Sequence, residues 1–468
     1  MKKIFLFTLV LVILVNARAQ QTNKMQASAT SKAQDVKTLN KEEQKILAYI
    51  DANMPRAIEL LKESVNINSG TLNIEGVKKV GALFAKEFEA AGLKTHWVAM
   101  PDSIKRAGHL VATTAATTTS SAATISNESS NSSSTTKKPK GKKLFLIGHL
   151  DTVFEPDMPA NPFTMINDST ATGQGANDMK GGDVVVIIAL QALNAQGLLK
   201  DAAITAYFTG DEEHAGYPRE VSRGDFIETA KQSDIALAFE GANGLNQVAT
   251  ARRGASGWQL NVTAKTGHSS GVFTNNAGYG AIYEAARIVN EFREKLSQEK
   301  YLTFNPGVFI GGSDMQYDEA KATGTAIGKT NIISPNAVVT GDLRFLTEQQ
   351  KLDARKTMQN IVNQNLTGTK ATISFVDGIP SMAPTKGNER VMETISGVTT
   401  AMGMGPTTAG DPGSRGAGDI SYVAQYMDCI DGLGASGKGA HAPGELINLK
   451  EFPILIKRAA LTMYRLTR

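Results

Sequence analysis

Five clusters of metal-competent side chains are spread along the chain: His149 with Asp151, Asp178, Glu212 with Glu213, Glu240, and His441. Imidazole and carboxylate are the ligands that zinc accepts where no thiolate is on offer. The single cysteine, Cys429, stands in the apolar stretch YMDCIDGL and reads as a packed small hydrophobe. Three clusters follow or end apolar runs: KLFLIG leads to His149, AITAYFTG leads to the Glu212-Glu213 pair, and Glu240 ends DIALAFE. In parallel α/β sheets, ligands collect at the carboxyl ends of the strands. Each residue alone has a plainer reading. A histidine at a strand end can be a structural hydrogen-bonding group, paired acids in a loop can be solvated, and Asp178 can cap a helix starting at Met179. Context adds weight to the chemical reading. Adjacent side chains such as Glu212 and Glu213 diverge, so one can face a metal while its neighbour faces a water, which is the layout for metal-assisted hydrolysis.

The elements that must position these residues follow from the pattern of apolar runs. Helices are predicted around Lys41 to Val65, Glu75 to Ala91 and Gly182 to Ala195, with strands at LKTHWVAM, GHLVATT, KLFLIGH, AAITAYFTG and DIALAFE. Continuous apolar strands between helices predict an α/β fold with a mostly parallel sheet covered by helices on both faces. Near residue 250 the texture changes. WQLNVTAKT, a helix from Ala277 to Leu296, LTFNPGVFI, AVVTGDLRF, a helix from Glu348 to Asn365 and KATISFVD read as a smaller α+β unit. After Pro384 the first texture returns, with a strand near Met427 to Leu433 and a last helix from Lys450 to Leu466. The expected organisation is a catalytic domain over 35–250 and 378–468, interrupted by an insert over 251–377. Residues 113–142, almost wholly Thr, Ser, Ala and Asn before KKPKGKK, are too poor in apolar side chains to fold and read as a disordered loop between strands.

With 468 residues, 41% hydrophobic and 20% charged, the chain has ordinary globular composition and room for two or three domains of roughly 150 residues. Lys2 and Lys3, the apolar run Ile4 to Val15 and Ala17-Arg18-Ala19 have the layout of a secretory signal peptide over residues 1–19, followed by a polar leader over 20–34. An uncleaved anchor is the alternative, although the run is shorter than the ~20 residues a membrane span needs. A periplasmic or secreted protein with no membrane attachment after cleavage is expected. Loss of Lys2, Lys3 and Arg18 lowers the formal net charge from +4 to +1, too near neutral for a nucleic-acid or anionic-membrane partner.

The motifs HLDTV at His149, GQGANDMKGG around Asp178, DEEHAG at Glu212, LAFEG at Glu240 and GKGAHAPGE at His441 resemble, in order, those of one family. It is the two-zinc metallopeptidase family of carboxypeptidase G, aminoacylase, acetylornithine deacetylase, succinyl-diaminopimelate desuccinylase and related dipeptidases. The likeness runs from about residue 40 to the C-terminus apart from the low-complexity stretch, and carboxypeptidase G is the nearest type. The resemblance implies two zinc ions, with cobalt or manganese also suited to these ligands. Asp178 would bridge them, His149 and Glu240 would complete one site, and Glu213 and His441 the other. Asp151 would accept a hydrogen bond from His149 and fix its tautomer. Glu212 would be the general base.

The insert resembles the family's dimerisation and lid domain, which implies a homodimer through 251–377. His268 of TGHSSG would stabilise the oxyanion in the partner subunit's site, and Asn331 and Arg344 would bind a substrate carboxylate, each also readable as an ordinary turn or strand residue. The implied activity is hydrolysis of small peptides or N-acylated amino acids with a free carboxylate, as a carboxypeptidase G-like exopeptidase. An N-acyl-amino-acid deacylase is the alternative, and a catalytically inactive ligand-binding relative is an alternative of another class. Two departures from the family pattern, Ser414-Arg415 in DPGSRGAGDIS and Gly241 after Glu240, bear on substrate identity.

Overall fold

The computed structural model describes residues 38–117, 139–319 and 321–468. The expected signal segment and leader, and most of the Ser/Thr-rich stretch, lie outside the described residues. Helix α1 (Lys41–Val65) starts where Asn40 and Glu43 cap each other. The Glu43 N–H donates to Asn40 Oδ1 at 2.9 Å and the Asn40 N–H donates to Glu43 Oε2 at 2.9 Å. Helix α2 (Ile74–Ala90) follows, then strands β1 (Lys94–Val98), β2 (His109–Thr113) and β3 (Leu144–His149). Helix α3 (Lys180–Ala195) has every residue from Val184 to Leu190 fully buried, because other helices cover it all round. Strands β4 (Ile204–Thr209) and β5 (Ile235–Ala238) complete the first half.

The chain then enters a second unit. Strands β6 (Gly254–Ala264), β7 (Thr303–Gly312), β8 (Asn336–Phe345) and β9 (Thr369–Asp377) form a wholly antiparallel sheet in the order β7-β8-β6-β9. Helices α4 (Ala281–Leu296) and α5 (Glu348–Val362) cover one face, with Trp258, Leu260, Val339, Ile288, Phe292 and Met358 in its separate core. Alternating burial along β6 marks a sheet with one packed face. A hairpin of Asp314–Asp318 and Thr323–Ile327, which the sequence reading lacked, projects from this unit. The chain returns through helix α6 (Lys386–Ala401), strand β10 (Asp428–Ile430) and helix α7 (Phe452–Leu466).

The returning strand joins a six-stranded sheet in the order β1-β2-β4-β3-β5-β10. The pairs from β4 through β10 are parallel, while β1 and β2 are antiparallel additions at one edge. The expected α/β architecture holds, with two refinements. The sheet is mixed at that edge, and its faces are covered unequally. Helices α1, α2, α3, α6 and α7 pack on one face around Leu144, Leu146, Ala206 and Leu237. On the other face, Phe145, Ile147 and Tyr207 meet Phe226 of the short helix Gly224–Ala230 and the turn containing Ile420 and Tyr422. Because β3, β4 and β5 run parallel, their carboxyl ends open on one rim, with His149 opposite Thr209 and Ile147 opposite Ala238.

Candidate active site

The rim gathers all five predicted metal donors. His149 Nε2 lies 3.3 Å from Asp178 Oδ1 and 3.8 Å from Glu240 Oε1. His441 Nε2 lies 3.1 Å from Asp178 Oδ2 and 3.1 Å from Glu213 Oε2. Two donor groups result, His149–Asp178–Glu240 and Asp178–Glu213–His441, and within each the donor atoms all lie within 4.8 Å of one another. Asp178 is common to both, one oxygen serving each. Its side chain caps no helix, since α3 begins at Lys180 without a side-chain cap.

Each donor is delivered by a different device. His149 ends β3 with its side chain 1% exposed, whereas the side chain of His441 is 58% exposed on a loop. That loop is closed by the antiparallel pairing of Gly437–Lys438 with Leu446–Asn448. His441 itself adopts a left-handed φ of 65°, costly for a residue with a Cβ and held here by the closed loop. Glu445 at the far end of the loop accepts from the backbone N–H groups of Asn177 at 2.6 Å, Asp178 at 2.8 Å and Gly175 at 3.2 Å. It therefore fixes the segment that carries Asp178. Burial pushes the Glu445 carboxyl up to about 7 despite those bonds.

Asp151 works differently from expectation. His149 Nδ1 lies 3.0 Å from the Asp151 backbone carbonyl, while the nearer carboxylate oxygen is 3.6 Å away. The carboxylate is occupied elsewhere: it accepts from Thr71 Oγ1 at 2.6 Å and from the N–H groups of Glu212 at 3.0 Å and Glu213 at 3.1 Å. Asp151 thus orients both glutamates, and its carbonyl orients the imidazole. A second buried network, not foreseen from the sequence, braces the same loop from behind. Arg223 is fully buried and pairs with Asp211 and, through Nε at 2.8 Å, with Asp419. Asp419 also accepts from Thr209 Oγ1 at 2.6 Å, and Gly210 N–H donates to His109 Nδ1 at 3.1 Å. Only the run of acids at Asp211 hinted at it, because its members lie up to about two hundred residues apart.

The electrostatics match a place for cations. Burial first, then the charge of Asp178, lifts the Glu240 carboxyl to about 8. Burial and the charge of Glu240 raise Glu212 well above the ordinary carboxylate range. Asp178 is held well below that range by its bonds to His149 and His441, which outweigh burial. Hydrogen bonds to Asp178 and Glu213 lift His441 to about 11. Glu213 Oε1 is buried without a hydrogen-bond partner among the described residues, as expected of an oxygen meant for an ion. The Glu212 side chain lines the same niche as His149 and Glu240, and no group among the described residues donates a hydrogen bond to its carboxylate.

The residues predicted on the insert find their partners within the insert. His268 is exposed, and its Nδ1 contacts Ser270 Oγ at 2.9 Å. It bridges Ile332, and Ser269 N–H donates to the Asn331 carbonyl at 2.9 Å, so His268 and Asn331 share one turn region. Arg344 pairs with Asp342 at 2.9 Å near the other end of β8. The eight steps from Asn336 to Arg344 span roughly 26 Å at about 3.3 Å per residue. Among the described residues, no hydrogen bond or ion pair joins these three to the metal-donor groups.

Comparison with known proteins agrees with this geometry. The model of peptidase family M20/M25/M40 matches residues 145–465. The chain is 24% identical over 410 residues to carboxypeptidase G2 of Pseudomonas sp. (strain RS-16), covering 87% of this chain and 88% of the relative. It is 22% identical over 324 residues to succinyl-diaminopimelate desuccinylase of Pelagibacter ubique (strain HTCC1062), covering 66% and 79%. Its fold resembles that of aminopeptidase PepT from Bacillus cereus, with a TM-score of 0.67 at 16% identity over 89% of this chain and 99% of the other. A dinuclear metal binding M20 peptidase from Bacillus subtilis gives 0.59 at 12% identity over 89% and 99%. With the donor groups in place and the family model spanning most of the chain, this protein belongs to peptidase family M20/M25/M40 and is a hydrolase of the metallopeptidase type.

Proposed function

We propose that the rim holds two divalent ions, zinc by preference, and that the protein hydrolyses the amide bond of small peptides or N-acylated amino acids bearing a free carboxylate. One observation carries the reading: the two Asp178 oxygens face two separate donor groups, and the unbonded carboxylate of Glu212 lies in the same niche. When bound, such ions acidify a water and polarise a carbonyl. Glu212 takes the proton of the attacking water and hands it to the leaving amine. Asp151 and the Arg223 network hold Glu212 and Glu213 in register through the backbone.

Similarity to carboxypeptidase G2 over 87% of the chain supports a carboxypeptidase G-like exopeptidase. An N-acyl-amino-acid deacylase is the second reading, supported by the likeness to a desuccinylase. The complete donor set weighs against an inactive relative. The wide separation of Arg344 from His268 and Asn331 supports a homodimer through the insert, in which Arg344 serves its own subunit while His268 and Asn331 serve the partner's site. The N-terminal segment supports export to the periplasm or beyond.

Zinc-loaded protein should cleave members of a panel of dipeptides and acyl-amino acids assayed side by side. Glu212→Gln should lower kcat by on the order of 10²- to 10⁴-fold while two zinc ions remain bound. Near-normal turnover in that variant would remove the base assignment, and silence of the wild-type protein across the panel would remove the hydrolase reading for these substrates.

A further inference from the structure

The two sequence departures beside the rim touch each other. An Arg415 Nη2 proton is donated to the carbonyl of Gly241, the residue that follows Glu240. The space for the guanidinium comes from Gly432, whose φ is 78° and where a Cβ would stand 3.0 Å from Arg415 Nη2. Gly241 is confined too, since a Cβ there would lie 3.2 Å from the Asn177 amide, next to Asp178. Glycine at 432 thus admits the guanidinium against the backbone of the residue that follows a metal donor.

Asp431, fully buried, is paired with Arg252 Nη1, and its Oδ1 accepts from the Gly432 N–H at 2.5 Å. Arg252 spends its other donors on the carbonyls of Gly416 and Ala417. Arg415 Nη1 is 3.9 Å from Asp431 Oδ2, beyond hydrogen-bond range. Asp431 therefore faces two guanidiniums, and Arg252 is also in the field of Glu240 and Glu212. Arg415 keeps Nε and Nη1 without an acceptor among the described residues, and its side chain is 15% exposed. A half-buried guanidinium with unspent planar donors is a receptor for a carboxylate.

We propose that Arg415 binds a carboxylate of the substrate on the Glu240 side of the centre and selects anionic substrates; this rests on the hydrolase reading above. A peptide substrate offers that group either as its α-carboxylate or as an acidic side chain, and the test separates the two. Binding to zinc-loaded Glu212→Gln protein is measured by calorimetry for alanyl-glutamate, alanyl-glutamine, the α-amide of alanyl-glutamate and alanyl-glutamine amide. The same is done after adding Arg415→Met, Arg415→Gln or Arg415→Lys, with zinc content and thermal melting checked for each.

Alanyl-glutamate should bind at least tenfold more weakly to the Met and Gln variants, with part of the loss recovered by Lys and no change for the uncharged alanyl-glutamine amide. A loss shared with alanyl-glutamine assigns the α-carboxylate, and a loss shared with the α-amide assigns the side chain. A change below tenfold, an equal loss for the uncharged peptide, no binding by the parent, or misfolding of both neutral variants overturns the proposal. If wild-type protein binds two zinc ions and cleaves peptides while these variants bind normally, only Arg415 loses its role. If wild-type protein hydrolyses nothing in the panel, the reading beneath it fails instead.

Discussion

The rim of the mixed sheet and the far end of the insert carry functional candidates in opposite ways. At the rim, donors from five separate segments meet within one chain, and three of the surrounding segments are braced: Asp151 by Thr71, the Glu212 loop by Arg223 and Asp419, the Asp178 segment by Glu445. On the insert, His268 is exposed with Ser270 as its side-chain partner, and Arg344 sits at the opposite end of the same sheet. Buried charges need partners from their own fold, because an unpaired one is strongly destabilising. An exposed histidine carries no such demand. The metal donors of the rim are thus held by their own chain, whereas the exposed insert residues are under no such constraint.

Variants at each place can break this contrast. The largest effect is expected from Asp178→Asn, which removes the member common to both donor groups. Bound zinc, counted by atomic emission, should fall from two per chain to fewer than one, with turnover lost. Next, His268→Ala should lower kcat by roughly 10²- to 10³-fold, as for loss of an oxyanion donor, with zinc content unchanged. Mixing and reassembling the two inactive variants should restore activity, because a mixed dimer would pair an intact rim with an intact His268. No recovery would place His268 in its own subunit's site or outside the chemistry.

A smaller loss is expected from Glu445→Gln, which weakens the hold on the Asp178 backbone; zinc affinity measured against a chelator should fall roughly 10- to 100-fold. The mildest effect is on pH. In metal-free protein, burial lifts the carboxyls of Asp151 to about 6, Glu445 to about 7 and Glu240 to about 8. Each binds protons more tightly when folded, so its contribution is complete below about pH 4 and is lost as pH rises through those values. The melting temperature of the metal-free protein should therefore fall between pH 5 and 7. Zinc should raise it more at pH 7 than at pH 5, since the ligands bind in deprotonated form. A flat profile without zinc would show that the rim acids are paired differently.

What could be read from the sequence follows the range of each interaction. His149 and Glu240 end or follow short apolar strands, so both were legible. The true Asp151 contacts were not, because they depend on how the loop after β4 folds back over β3. Arg223 gave no signal, since its partner Asp419 lies 196 residues away and a charged residue in a polar run looks like surface. The hairpin at 314–327 was missed because its residues are mostly exposed and show no apolar alternation.

The loop that presents His441 and Glu445 has a consequence for how the protein matures. Glu445 lies 267 positions after Asp178, whose backbone it holds. During synthesis, domains fold as units from the N-terminal side. Strands β3 to β5 can pair on the ribosome, yet the second donor group cannot close and the Asp178 segment cannot be anchored until that loop has also been made. The two donor groups therefore form in sequence, and a polypeptide lacking that loop would keep much of the sheet but only the His149–Asp178–Glu240 group.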